Sequence, residues 1–362
     1  VNVVESRLDG PVRVVGVGLL GTSIALGLRA RGVDVILSDA SPTHVSIAVD
    51  YGAGRRAGEA DEPQLVVVCV PPDVTASVIV RELSAYPRAI VTDVASVKKP
   101  ILDEVLASGG DLSRYVGSHP LAGRERGGPM AGRADLFLGR PWVVARHAAA
   151  PLSTTRVVDD LILDLGASLV EMDADEHDRS VALVSHAPQV VSSLMARRLV
   201  SAPGAAVDLA GQGLRDVTRI ASSEPALWVQ ILGANAEPVG EVLRAYRDDL
   251  DRFIDALSEP AAPGARRRMA EELAGGNAGV ARIPGKHGQD RRYAQLVVMV
   301  DDRPGELARL LTEMGEIGVN LEDLRIEHSP GAQIGLAEVV VVPEALETLT
   351  AELESRGWRI AG

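Results

Sequence analysis

Short runs rich in Val, Ile and Leu recur through the first half of the chain, at Val12–Val17, Val33–Ser38, Leu65–Val70, Ala89–Asp93, Tyr115–Ser118 and Trp142–Ala145, with helix-length segments between them. Each run is continuously apolar rather than alternating, which is the pattern of strands buried on both faces. Strands of that kind separated by helices specify a doubly wound parallel sheet. The reading predicts an α/β, Rossmann-like domain over residues 1–172.

The pattern changes at Asp173-Ala174-Asp175-Glu176, an acidic segment suited to a helix N-terminus. Val184, Ala187, Val191, Leu194 and Met195 follow at helical spacing, and Pro188 among them predicts a kink. Ser223, ahead of Glu224-Pro225, is expected to cap a further helical stretch running in pieces to about Leu257. Pro and Gly recur from Glu259 to Arg292 around one helix-capable piece, Arg266–Leu273, and read as a linker or ordered loop. An all-helical domain with its linker therefore spans 173–285. The remainder, 286–362, has the order β-α-β-β-α-β of a ferredoxin-like domain, its first helix starting near Pro304 with Asp302 as cap.

A length of 362 residues accommodates these three domains. The net charge of −13 argues against nucleic acid, whose recognition needs clustered Lys and Arg. Cys69 is alone, so neither an intramolecular disulfide nor a cysteine metal cluster is expected, and the seven histidines are not at ligand spacing. No apolar run reaches membrane-spanning length and the first residues lack a signal-peptide pattern, which predicts a cytoplasmic protein with no membrane partner.

The first strand runs directly into Gly16-Val17-Gly18-Leu19-Leu20-Gly21 and then a helix. Gly16 permits a tight turn, Gly18 lets the backbone approach a pyrophosphate, and Gly21 lets helix and strand pack closely. Asp39 ends the second strand, where a carboxylate accepts from a ribose 2′-hydroxyl and repels a 2′-phosphate, favouring NAD over NADP. A turn residue before Ser41-Pro42 is the lesser alternative for Asp39. Val70 and Pro71, then Asp93 and Ser96, stand at later strand ends and complete the candidate cofactor site with Leu19 and Leu20. Ser96 has a second reading as a helix cap ahead of Val97-Lys98-Lys99.

Val116-Gly117-Ser118-His119-Pro120 places a histidine at another strand end. Hydride removal from a carbinol carbon requires the hydroxyl proton to leave too, and imidazole has the pKa to take it. His119 is accordingly the candidate general base. The segment Arg114–Arg140 around it has five arginines against Glu125 and Asp135, a basic surrounding suited to an anionic substrate.

Ser118-His119-Pro120-Leu121-Ala122-Gly123-Arg124-Glu125 resembles the signature of the prephenate/arogenate dehydrogenase family of tyrosine biosynthesis. Asp93-Val94-Ala95-Ser96-Val97-Lys98, Leu183–Pro188 and Gly213–Ala221 carry the resemblance further, with Trp228 after the last. The resemblance implies NAD-dependent oxidative decarboxylation of prephenate. His119 would take the proton from the ring C4 hydroxyl, Ser96 would orient it, and Arg219 would hold a substrate carboxylate. Asp216, Trp228, His177, His186, Arg124 and Glu125 would line the substrate pocket. Gln189 departs from the pattern, since many members have a histidine there; an amide can donate a hydrogen bond but not carry charge. Arg219 has an alternative as the partner of Asp216 three residues earlier. His177 and His186 are nine residues apart, on opposite faces of an undistorted helix.

Asp301–Ala308 and Gly318–Glu322 resemble the two signatures of ACT regulatory domains, which implies an effector site at Gly305 and Asn320 with tyrosine as candidate ligand. A dimerisation module without ligand is the alternative. Three other functions stay open: arogenate as substrate, with Glu125 as discriminating residue; a 4-amino analogue of prephenate; and a non-catalytic NAD or amino-acid sensor. Helical domains of this type usually pair, so a homodimer is expected.

Overall fold

The computed structural model describes residues 5–123, 127–283, 293–328 and 334–361. Arg124 and Glu125, and the end of the predicted linker from residue 284 onward with His287, lie outside them. The chain divides into two compact units, Val1–Ser201 with Thr218–Tyr246, and Ala202–Val217 with Arg247–Gly362.

The first unit contains an eight-stranded sheet made of β1 (Val12–Val15), β2 (Val35–Ser38), β3 (Arg55–Arg56), β4 (Leu65–Val68), β5 (Ile90–Asp93), β6 (Tyr115–Pro120), β7 (Pro141–Ala145) and β8 (Ser168–Met172). Their order is β3-β2-β1-β4-β5-β6-β7-β8. Helices α1 (Leu19–Arg29), α2 (Pro42–Asp50), α3 (Pro72–Ala85), α4 (Lys99–Ala107) and α5 (Leu152–Asp164) accompany the strands. Neighbouring β4 residues serve different cores: Val67 joins Val14, Leu37 and Trp142, whereas Val66 and Val68 join Val15, Ile79 and Val91. Both faces of the sheet are thus covered, which is why its strands are continuously apolar.

The first six strands are mutually parallel, as expected of a Rossmann-like sheet. Among its described residues the connection from β6 to β7 holds the tight turn Pro129–Ala131 and no crossover helix, and β7 returns antiparallel to β6. Helix α5 then crosses over to β8, parallel to β7. The wholly parallel expectation fails at β7 because apolar continuity reports burial, not strand direction. β3 and β8 escape detection because exposed Arg55-Arg56 and the half-exposed Ser168–Met172 carry little apolar signal.

Next come α6 (Ala174–Val181), a π-helical turn (Ala182–His186), α7 (Ala187–Arg197), α8 (Gly204–Val207), α9 (Gln212–Thr218), α10 (Pro225–Ala234), α11 (Ala236–Ser258) and α12 (Ala265–Val280). Asp173 caps α6, its carboxylate accepting from Glu176 N–H at 2.7 Å. The disturbance expected at Pro188 is the π turn immediately before it. Proline has no N–H to offer the carbonyl one turn back, and a wider turn absorbs the missing bond. Ser223 does not cap α10: Glu224 holds that position, and the Ser223 hydroxyl accepts from Gln189 Nε2 at 2.7 Å. The predicted linker is largely helix, because α12 continues through Gly275-Gly276 and Gly279. Glycine costs a helix ~1 kcal/mol relative to alanine without removing its hydrogen bond.

Strands β9 (Ala294–Asp301), β10 (Asp323–His328), β11 (Ile334–Val341) and β12 (Arg359–Ala361) form an antiparallel sheet in the order β10-β11-β9-β12, with α13 (Glu306–Ile317) and α14 (Pro343–Ser355). This is the expected ferredoxin-like arrangement, with its own core of Val298, Leu310, Met314, Val339, Leu349 and Leu353. The left-handed Gly305, at φ 95°, stands at the N-cap of α13. Asp302 therefore does not cap the helix, and Pro304 precedes it.

Candidate active site

The strand order reverses between β1 and β4, and the carboxyl ends of these two strands open the crevice in which such sheets bind ligands. A Cβ on Gly16 would meet the Cys69 carbonyl oxygen at 2.4 Å, and one on Gly21 would lie 1.9 Å from the Gly16 carbonyl oxygen. By contrast, a Cβ on Gly18 would meet nothing within 4 Å. Two glycines thus seat the loop, and the middle one faces open space. Gly18 is also the N-cap of α1 and supplies no side-chain partner to its first N–H groups. That free, positively polarised helix end suits a pyrophosphate.

Asp39 accepts from Val17 N–H through Oδ2 and from Ser41 N–H through Oδ1, both at 2.8 Å. The turn role and the cofactor role are therefore compatible, since a carboxylate offers about four acceptor positions. Leu19 and Leu20 open α1, and Val70 and Pro71 follow β4 at the same sheet edge. These groups fit an NAD dinucleotide. Asp93, expected beside the cofactor, lies instead beneath the site at 0% exposure. Its carboxylate is occupied by Lys98 Nζ, the Tyr115 hydroxyl at 2.8 Å and Ala95 N–H at 2.9 Å.

Lys98 is only 1% exposed and also donates from Nζ to the Ser118 carbonyl at 2.8 Å. Burial pulls its pKa down, opposed by the Asp93 carboxylate. Ser118 continues the network, donating to the Asp93 carbonyl at 2.8 Å and accepting from Thr92 at 3.1 Å. The buried ion pair occupies the space where a Gly117 side chain would be; a Cβ there would approach Asp93 Oδ2 and Lys98 Cδ at 3.2 Å. Residues leading to His119 are thereby fixed to β5 from below.

His119 Nδ1 lies 2.9 Å from His177 Nε2, and His177 Nδ1 lies 2.7 Å from Asp178 Oδ1. The Asp178 carboxylate also accepts from the N–H groups of Lys98 at 2.8 Å and Lys99 at 2.9 Å. It caps α4 from another helix, so Ser96, three residues ahead of α4, is not the cap. Burial pushes the His119 pKa well below 6.5, and His177, Lys98 and His186 push it the same way. His119 is thus held unprotonated at neutral pH, as a proton acceptor must be.

His186 is likewise buried, at 1% exposure. Asn235 Nδ2 donates to the Asp178 carbonyl at 2.8 Å and lies 3.1 Å from His186 Nδ1. An amide nitrogen has no acceptor capacity, so His186 Nδ1 accepts and the ring proton is on Nε2. The Trp228 indole meets this ring edge-on at 6.0 Å. His177 and His186 therefore join one cluster, contrary to the opposite faces of a regular helix, because the π turn between them changes the register. Gln189 is buried on α7, which packs against the Arg219–Ala221 turn. Arg219 is exposed there, in the same unit as His119. Asp216 accepts from Gln212 Nε2 at 2.8 Å, one turn back on α9.

The basic surrounding anticipated from Arg114–Arg140 is partly spent on structure. Arg114 clamps Asp111 and the carbonyls of Leu83, Tyr86 and Ala89, and Arg133 pairs with Asp135. A surface cavity of about 390 Å³ lined by Leu121, Gly123, Arg133 and Arg140 includes none of the histidines. Asp178, Asn235 and Lys98 belong to the site without being marked as site residues by the sequence, and Asp93 belongs to it as the partner of Lys98. Lys98 ends the Asp93–Lys98 segment and Asp178 adjoins His177, which are their only signals in the sequence; Asn235 has none.

A dinucleotide crevice with an unprotonated histidine at a neighbouring strand end defines a NAD-dependent dehydrogenase. Residues 24–171 match the nucleotide-binding domain of prephenate dehydrogenases, and residues 173–271 match their dimerization domain. The chain belongs to the prephenate dehydrogenase family. It is 36% identical over 358 residues to the probable prephenate dehydrogenase NovF of Streptomyces niveus, covering 95% of this chain and 98% of that one. The prephenate dehydrogenase of Bacillus subtilis is 25% identical over 340 residues, with 89% of each chain covered. Among solved structures, A. aeolicus prephenate dehydrogenase in complex with hydroxyphenyl propionate and NAD+ superposes with a TM-score of 0.69 at 25% identity, over 77% of this chain and 100% of that one. Synechocystis arogenate dehydrogenase gives 0.62 at 25% identity, over 74% and 99%.

Proposed function

We propose that this protein oxidises prephenate to 4-hydroxyphenylpyruvate and carbon dioxide with NAD, and that His119 is its general base. The observation that carries the reading is the tethered, unprotonated His119 beside the dinucleotide crevice. NAD, when bound, supplies the hydride acceptor. As hydride leaves ring C4, the C4 hydroxyl passes its proton to His119, the bond to the ring carboxylate breaks and its electron pair makes the ring aromatic, and the C4 oxygen regains the proton from His119 to give the phenol. Much of the driving force is in the substrate, leaving the chain to position it and manage one proton.

In this reading Ser96 orients the hydroxyl, and Arg219 pairs with a carboxylate through its planar fork. His186 presents a neutral N–H, while Trp228 and Gln189 shape the pocket. Arg124 and Glu125 belong to the same motif. Domain limits of 1–172, 173–285 and 286–362 follow, the last an ACT-type regulatory domain taking tyrosine near Gly305 and Asn320. A cytoplasmic homodimer is the proposed assembly. Its supports are the match to a dimerization domain and the exposed Leu183, Val184, Leu194, Met195 and Val200 around α7.

NADH formation with prephenate and with arogenate, each with and without tyrosine, tests these statements together. Turnover of prephenate that is lost in His119→Asn is the expected result. No turnover by the wild type, or unaltered turnover in the variant, refutes the assignment. A higher kcat/KM for arogenate would transfer the reading to that substrate.

A further inference from the structure

The site converges on Asp178, and its hydrogen bonds determine where the protons of His177 and His119 sit. Two backbone N–H groups donate to its carboxylate, which therefore acts as an acceptor. Hence His177 carries its proton on Nδ1, facing Asp178 Oδ1 at 2.7 Å, and its Nε2 is an acceptor. His119 must then donate from Nδ1 to His177 Nε2 across 2.9 Å. The lone pair of His119 remains on Nε2. Among the described residues the tautomer of His119 is set through His177 by Asp178.

The same chain can move charge. Among the described residues, a cation on His119 meets the Lys98 ammonium on the β5–α4 connection and no carboxylate; Asp93 is already paired with Lys98. His177 has the Asp178 carboxylate in direct contact. His186, from the π turn, is the remaining titratable neighbour, and it is neutral. His177 is also 0% exposed, so its Nε2, covered by the His119 ring nitrogen, exchanges protons with that ring.

We propose that His119, His177 and Asp178 form a two-histidine proton relay, in which the proton taken from the substrate hydroxyl displaces one that comes to rest on His177. The substrate O–H bond breaks as an N–H bond forms at His119 Nε2. In the same step the His119 Nδ1–H bond breaks and an N–H bond forms at His177 Nε2. No electrons are exchanged; the transfer leaves a transient His177 imidazolium against the Asp178 carboxylate, a charge-assisted pair, and its reversal returns the proton to the C4 oxygen once the ring is aromatic. The relay rests on the reading of His119 as general base. His177 is thus a catalytic extension of that base, and Asp178 is a positioning residue.

The test is His177→Gln in the full-length chain. Glutamine can accept from His119 Nδ1–H through its amide oxygen but cannot take up a proton, and it leaves Asp178 free to cap α4. Single-turnover NADH formation from prephenate is followed in mixtures of light and heavy water, with NAD affinity as the check on folding. The wild type is expected to show a bowed dependence on deuterium fraction, reporting two protons in motion. His177→Gln is expected to show a linear one, with kcat lower by about 10–100-fold and KM within about threefold. A linear wild-type dependence, or wild-type kcat in His177→Gln, overturns the relay, and the first measurement holds even if the variant does not fold. Full activity in His119→Gln would instead remove the base assignment on which the relay rests.

Discussion

His186 is a neutral ring in a place that does not admit its cation. Burial, reinforced by His177 and opposed by Asp178, lowers its pKa from 6.5 to about 4. The unfolded chain therefore binds a proton between these values while the folded chain does not. Stability from this group is complete above about pH 6.5 and is lost as pH falls toward 4, on the order of 3 kcal/mol in all. Urea unfolding of the wild type and His186→Gln at pH 7 and pH 5 measures it: the wild type should lose more stability than the variant on acidification. An equal loss would mean that His186 is protonated in the native state. The glycine loop offers a second residue-scale contrast. Gly21→Ala forces a Cβ onto the Gly16 carbonyl and should destabilise by about 2–4 kcal/mol. Gly18→Ala faces open space and should leave thermal stability within about 0.5–1 kcal/mol of wild type while weakening NAD binding. Melting curves with and without NAD separate the two.

At the scale of elements, β5, β6, α4 and α6 are joined by charge rather than by apolar packing alone. Removing Lys98 leaves the Asp93 carboxylate buried and uncompensated, so Lys98→Met should cost about 3–5 kcal/mol. The double variant Lys98→Met, Asp93→Asn should recover much of that, and a double-mutant cycle by urea unfolding reads the coupling. Additive losses would show that the pair does not act as one unit. The π turn makes a different prediction. Pro188→Ala restores a backbone donor and permits a regular helix through residues 182–188, so stability should hold while prephenate turnover falls about tenfold as His186 shifts. Loss of stability with activity per folded molecule intact would contradict the role given to that turn. These elements also mark what sequence reasoning reached. The helix after Asp173 and the strands β1, β2, β4, β5 and β6 followed from apolar periodicity and capping residues, which act locally. The reversal of β7, the edge strands and the passage of α12 through three glycines did not, because each depends on neighbours distant in sequence.

For the whole molecule, the proposed dimer predicts a mass of twice 38.1 kDa by sedimentation equilibrium. Leu194→Asp with Val200→Asp should yield monomers with the chain still folded, since both side chains are exposed in the isolated chain. A monomeric wild type would leave those apolar residues without explanation. Chain order, residue type and short-range spacing determined the two α/β architectures, the phosphate loop, Asp39 and His119, because a strand, a glycine turn and a helix start are each specified within a few residues. Tertiary structure decided which groups act together. Asp178 caps a helix eighty positions away in numbering and sets the tautomers of two histidines, and Asn235 reaches back to His186 across a turn that no propensity predicts. Such partners meet because packing encloses them, and a buried donor or acceptor must then find whatever complement the fold provides.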